Sequence, residues 1–143
     1  MTARAKVHGF LAAQREAQTR FLAELVRAPS DNPPGDCRPH ADRAARLLEG
    51  LGFTVERHPV PDALAQKSGM ISCTNLIVRE HFGPAGAGGG TTIACNAHGD
   101  VVPPGSGWSV DPYGAVVRDG RMYGRGVAVS KSDFATYAWA LMA

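Results

Sequence analysis

The chain has 143 residues, 44% hydrophobic and 20% charged, with a formal net charge of +2, the length of one domain and an ordinary globular composition. Charges of both signs are interspersed, with no basic run or stripe, which argues against a nucleic-acid partner. The apolar stretches are far too short to span a bilayer and Met1–Lys6 lacks the apolar core of a signal peptide, so a cytoplasmic protein with no membrane partner is expected.

A first helix is expected from about Ala5 to Arg27, because Val7, Phe10, Leu11, Phe21, Leu22, Leu25 and Val26 recur mostly at three- and four-residue spacing. Pro29 stops it, and Pro29–Gly35, with three prolines and a glycine, reads as loop. A second helix is expected from Pro39 to Leu51, burying Ala41, Ala44, Ala45, Leu48 and Leu51, with Gly52 as its cap. Phe53–Arg57 alternates as a strand should, Pro59–Gly69 reads as irregular, and Met70–Arg79 as a second strand.

Gly83–Gly90 is a glycine-rich connector. It precedes a strand instead of following one and opening a helix, so it lacks the setting of a dinucleotide fingerprint. Thr91–Ala97 is the third expected strand, apolar enough to be buried on both faces. If its partners are missing, it becomes an unpaired apolar edge and an aggregation hazard. Trp108–Tyr113 reads as loop. Asp119-Gly120, between Ala115–Arg118 and Arg121–Tyr123, signals a two-residue hairpin. A last helix is expected from about Ser130, with Phe134, Tyr137, Ala138 and Leu141 on one face, and it runs uncapped to Ala143, as in a truncated chain.

Three cysteines without CxxC spacing make neither a zinc knuckle nor a disulfide framework. Cys73 and Cys95 are expected as small buried hydrophobes. Cys37 lies in a turn with no activating base beside it. His8, His40, His58 and His81 read as surface residues, and Lys131 as solvated near a helix start. Ser130 and Ser132 suit N-capping better than nucleophilic roles. Trp108 suits loop packing, and Arg125 suits tying loop carbonyls or a carboxylate.

The chemistry centres on Asn96–Gly105. An apolar run, Thr92–Cys95, leads to His98, with Asp100 two residues on and a Pro103-Pro104-Gly105 turn behind it. In open α/β sheets, ligands bind at the carboxyl ends of strands, where this pair is expected. A neutral imidazole is a common metal ligand, and its second nitrogen is usually held by a carboxylate or carbonyl. His-x-Asp alone is a weak motif, which more often makes a hydrogen-bonded turn than a metal site.

The longer pattern says more. His98-Gly99-Asp100-Val101-Val102-Pro103-Pro104-Gly105, then Trp108, Asp111-Pro112-Tyr113, Asp119-Gly120 and Tyr123-Gly124-Arg125-Gly126 resembles the M20 metallopeptidase family. Glu24–Arg27 with Pro33–Gly35, Leu48–Phe53 and Thr74–Val78 resemble the family's earlier elements in order and spacing. The resemblance implies an α/β fold, residues 1–143 being the N-terminal portion of a three-layer zinc-peptidase-like domain whose mixed sheet is flanked by helices. The family's dimerisation (lid) domain would be absent. It also implies a zinc- or cobalt-dependent hydrolase of peptides or N-acyl amino acids, with two ions bridged by an aspartate polarising the amide and activating water. His98 matches the first metal-ligand histidine, and Asp100 the catalytic-centre aspartate that clamps it.

The family's bridging aspartate falls on Val129, which has no lone pair for a metal. Asp133, four residues further and about 6 Å along a helix, is the substitute candidate. Three readings stay open: a single-metal or altered site, Asp133 as stand-in ligand, or a non-catalytic homologue that binds small ligands. The family's general base and remaining ligands lie downstream of the position matching Ala143. One histidine cannot hold zinc, which needs three or four ligands. The chain alone is therefore expected to bind zinc weakly, not to hydrolyse amides and not to form the homodimer of full-length relatives.

Overall fold

The computed structural model describes residues 1–83 and 90–143; the expected connector at 84–89 lies outside them. Helix α1 spans Ala3–Ala13 and α2 spans Arg15–Val26. The apolar periodicity suggested one helix, but the ladder is interrupted at Gln14. The Gln18 side-chain amide donates to the Leu11 carbonyl at 3.0 Å, the acceptor that Arg15 would use in an unbroken helix. A side chain inserted into the ladder divides the run in two.

Helix α3, Arg38–Gly50, lies within one residue of expectation, with Pro39 in its first turn and Gly52, at φ +96°, just beyond its end. It buries Ala41, Ala44, Ala45 and Leu48, and also His40. Strands β1, Val55–Pro59, and β2, Thr74–Val78, pair antiparallel with Val55 opposite Val78 and Arg57 opposite Leu76. β1 has the expected length but lies two residues later than Phe53–Arg57, and β2 is half as long as the run Met70–Arg79 suggested. Between them the segment expected to be irregular holds a six-residue helix, α4, Asp62–Lys67, opened by an acidic residue and closed by a basic one, as its dipole favours.

β3, Val116–Arg118, and β4, Arg121–Tyr123, form the expected hairpin. Asp119 and Gly120 both take positive φ, 52° and 72°, as a type I′ turn requires. Helix α5 spans Lys131–Met142. Its buried face carries Lys131, Ala135, Ala138 and Trp139; Trp139 is the largest fully buried side chain.

The core joins α2, α3 and α5 through Phe21, Leu25, Ala44, Leu48, Phe53, Ala135, Ala138 and Trp139. Phe21 and Trp139 meet edge to face at 5.4 Å, the geometry that aromatic quadrupoles favour. The architecture is mixed α/β: among the described residues, helices with two small antiparallel sheets. Among the described residues no helix is long and apolar enough to cross a membrane.

The third expected strand is not one. Residues 91–97 pair with no strand among the described residues, and Ile93 is 83% exposed. Strand propensity makes a strand only where a neighbour completes the ladder, and the first residue after this run to find one is Val101, opposite Asp31. Cys95 is therefore exposed; Cys73, just before β2, is half-buried, and both were expected as buried hydrophobes.

Candidate functional site

Residues 98–101 form a turn clamped by the loop that follows α2. Val101 N donates to Ser30 O at 3.0 Å, and Asn32 N donates to Val101 O at 2.8 Å. The Ser30 hydroxyl donates to Gly99 O at 2.6 Å. Short polar side chains such as Ser and Asn bond readily to backbone groups where regular structure stops, and the residues after Pro29 supply them. The pair expected at a strand end thus sits in a loop-to-loop clamp.

Within this turn His98 and Asp100 meet. His98 Nδ1 lies 3.0 Å from the Asp100 carbonyl oxygen and 3.1 Å from its Oδ1. Both partners are acceptors, so Nδ1 carries a proton, and the neutral form of the ring then has its lone pair on Nε2. The imidazole is more than half exposed. A ring tied back by a carboxylate, with its other nitrogen free at the surface, is the usual presentation of a metal-ligating histidine. Asp100 Oδ2 accepts from the side-chain amide of Asn32 at 3.1 Å.

The floor of the turn is His40, expected at the surface and found 2% exposed. Helix α3 carries it inward, and its ring stands edge-on to Phe134 at 5.9 Å. Burial, then the Lys131 charge, draw its pKa down to about 3, with Asp100 opposing. Among the described residues its Nε2 has no hydrogen-bond partner. Lys131, expected in solvent, is completely buried. Its ammonium donates to Leu25 O at 3.0 Å and Ala28 O at 2.8 Å, closing the end of α2, while burial lowers its pKa to about 8. Cys37 is buried beside Ser30 O, and burial followed by the Asp100 charge raises its pKa to about 11. A thiol so protonated is no nucleophile.

On the far side, Ser130 Oγ accepts from His98 N at 3.3 Å and donates to Asp133 Oδ2 at 3.0 Å. Ser130 precedes α5 but makes no capping bond with its side chain, and Ser132 donates back to Ala128 O, so neither hydroxyl caps as expected. Val129 is 69% exposed. Arg125 does tie the loop: it donates to Pro104 O at 3.1 Å and lies over the Trp108 ring at 5.4 Å. Trp108 itself donates to Pro104 O at 2.9 Å. Tyr113 donates its hydroxyl to the Asp31 carboxylate, 2.5 and 2.6 Å from its two oxygens.

Sequence reading singled out His98 and Asp100, which the fold brings together. It missed Ser30, Asn32, His40 and Lys131 as parts of the same assembly. The polar loop after Pro29 was a signal; its bonding partner, 68 residues away in the case of Asn32 and Asp100, was not visible. Among the described residues no three His, Cys, Asp or Glu side chains gather as a metal-holding group.

The model of peptidase family M20/M25/M40 matches residues 94–143, which include the whole turn and all of α5. The succinyl-diaminopimelate desuccinylase of Rhodospirillum centenum is 38% identical over 116 residues, covering 80% of this chain and 27% of that enzyme. The desuccinylase of Wolinella succinogenes is 50% identical over 122 residues, 85% of this chain and 28% of the relative. That of Methylobacterium radiotolerans is 35% identical over 129 residues, 90% and 30% respectively. The chain thus spans less than a third of the length of these curated relatives. On the family match and on these alignments, which take in most of the chain, it belongs to peptidase family M20/M25/M40.

Proposed function

We propose that residues 1–143 are the N-terminal portion of the catalytic domain of a metal-dependent amide hydrolase acting on a small N-acyl amino acid, an N-succinyl amino acid first among them. The observation that carries the reading is the His98–Asp100 pair, in which the contacts of Nδ1 are to the Asp100 carbonyl and carboxylate, both acceptors. The substrate class follows the names of the relatives. In this reading the domain is three-layered, the protein acts in the cytoplasm, and further ligands and a dimerising lid correspond to parts of the relatives outside the matched third.

His98 would hold the metal, zinc or cobalt, and Asp100 would keep its ring turned outward. A bound ion supplies Lewis-acid polarisation of the amide carbonyl and acidifies water. The other groups of the turn position and shield: Ser30 and Val101 fix its backbone, and Ser130 takes the His98 amide proton. Asp133 is the candidate second ligand, although one of its oxygens already accepts from Ser130.

A second reading, a non-catalytic homologue that binds small carboxylated ligands, is favoured by the exposed valine at position 129, where the family places its bridging carboxylate. One experiment separates them: zinc content and succinate release from N-succinyl-diaminopimelate, measured on the protein and on His98→Ala. Zinc-dependent release that the variant loses supports the hydrolase. Zinc held through His98 without release supports the second reading. Release indifferent to chelator and to the variant overturns the metal assignment.

A further inference from the structure

We propose that Asn32 is a positioning residue that sets the rotamer of Asp100 and, through it, the tautomer and orientation of His98. The inference deepens the metal-ligand reading of His98 and rests on it for its functional meaning.

Asp100 sits on a loop, with its side chain 37% exposed. A carboxylate in that setting, bonded through one oxygen only, is free to swing about its side-chain torsions, and an exposed pair of this kind contributes little by itself. Here each oxygen has its own donor. Oδ1 accepts from His98 Nδ1 and Oδ2 from Asn32 Nδ2, both at 3.1 Å. Two donors on opposite oxygens leave one orientation of the carboxylate plane. That orientation keeps an acceptor facing Nδ1, which keeps the proton on Nδ1 and the lone pair on Nε2.

Asn32 is itself held without using its side chain. Its amide nitrogen donates to Val101 O at 2.8 Å, and the preceding residue, Asp31, is anchored by the Tyr113 hydroxyl. The backbone tie between the loops therefore survives a change of side chain at position 32, while the tie to Asp100 does not. This separation distinguishes positioning from simple support of the loop.

The test uses histidine-labelled protein, with the His98 ring nitrogens identified by comparison with His98→Ala, and titration with cobalt(II) alone. In the wild type, with the ring in its neutral form, the His98 Nε2 signal should be that of an unprotonated ring nitrogen. Asn32→Ala should shift it toward a mixture of tautomers and weaken cobalt binding by roughly 10- to 100-fold, the usual cost of losing an outer-shell partner. Asn32→Asp keeps the shape and the backbone bond but sets a second carboxylate against Asp100, so it should shift the signal further than alanine does. Combining Asn32→Asp with Asp100→Asn exchanges donor and acceptor and should restore the wild-type tautomer. If both single variants leave the His98 signals unchanged, or if Asn32→Asp behaves as the wild type while alanine does not, Asn32 acts only as a loop support and the inference falls. If wild-type cobalt binding is indifferent to His98→Ala, the metal reading falls instead, and the tautomer comparison still decides the role of Asn32.

Discussion

The imidazole of His40 occupies the space that a side chain at position 99 would need: a Cβ built on Gly99 stands 2.8 Å from His40 Nδ1 and 2.9 Å from its Cε1. The histidine is a flat, rigid body held edge-on to Phe134, so it cannot yield as a flexible chain end would. Gly99→Ala should therefore destabilise the protein by roughly 1–3 kcal/mol, the cost of overpacking. Because the two residues touch, the penalty should shrink when His40→Ala is added, and the cycle should show a coupling above about 0.5 kcal/mol. Urea denaturation of the four proteins checks it; additive effects would count against the contact.

His40 also makes stability depend on pH. Desolvation, then Lys131, hold it neutral down to a pKa of about 3, against the ordinary 6.5, with the Asp100 charge opposing. Below the ordinary value the unfolded chain takes up a proton that the folded chain refuses. Stability is then whole above that value and is lost as the pH falls toward the folded value, by about 1.4 kcal/mol per pH unit. Replacing the imidazole, as in His40→Leu, should flatten this part of the profile. Denaturation midpoints taken from about pH 7 down to about pH 4 would show it, and parallel profiles for the two proteins would show that other groups carry the acid sensitivity.

The contrast between His98 and His40 shows what could be read in advance. Local pattern placed α3, the β3–β4 hairpin and α5, because side-chain periodicity, turn chemistry and helix stops act within a few residues. It also placed His98 beside Asp100, two residues apart. It did not place His40 or Lys131 inside, because their burial depends on α3 and α5 closing over a loop distant in sequence. It read residues 91–97 as a buried strand because their composition suits one, yet pairing belongs to the neighbour as much as to the run itself. The break at Gln14 escaped notice for a similar reason: one glutamine amide redirected one carbonyl, and no periodicity records that.

Lys131 ties the start of α5 to the end of α2. Its ammonium satisfies the Leu25 and Ala28 carbonyls at 3.0 and 2.8 Å from a fully buried position. Lys131→Met keeps the length and most of the packing but removes the donors. Each carbonyl left without a partner costs about 1–3 kcal/mol, and relief from burying an ammonium offsets part of it. A net loss of roughly 2 kcal/mol is expected, with faster amide exchange at the end of α2. A thermal unfolding curve unchanged or shifted upward would mean that desolvation outweighs the two bonds.

Position 129 carries the sharpest question about the metal. Val129 is exposed beside Ser130, whose hydroxyl contacts both the His98 amide and Asp133. A carboxylate there would stand one residue from the group that touches the His98 backbone, whereas the valine offers a metal nothing. If His98 belongs to a two-ion site that the valine has reduced, and whose other ligands lie outside residues 1–143, Val129→Asp in the protein carrying those ligands should raise its bound zinc by roughly one ion. It should tighten the remaining ion as well, since zinc affinity grows as donors approach a full set of four. Folding should be little affected, because an exposed apolar side chain contributes little to the core. Metal counting after dialysis against zinc, with His98→Ala in parallel, checks this. Equal zinc content in wild type and Val129→Asp would show that position 129 does not limit the site. Zinc gained equally in the presence of His98→Ala would place the new ion away from the turn.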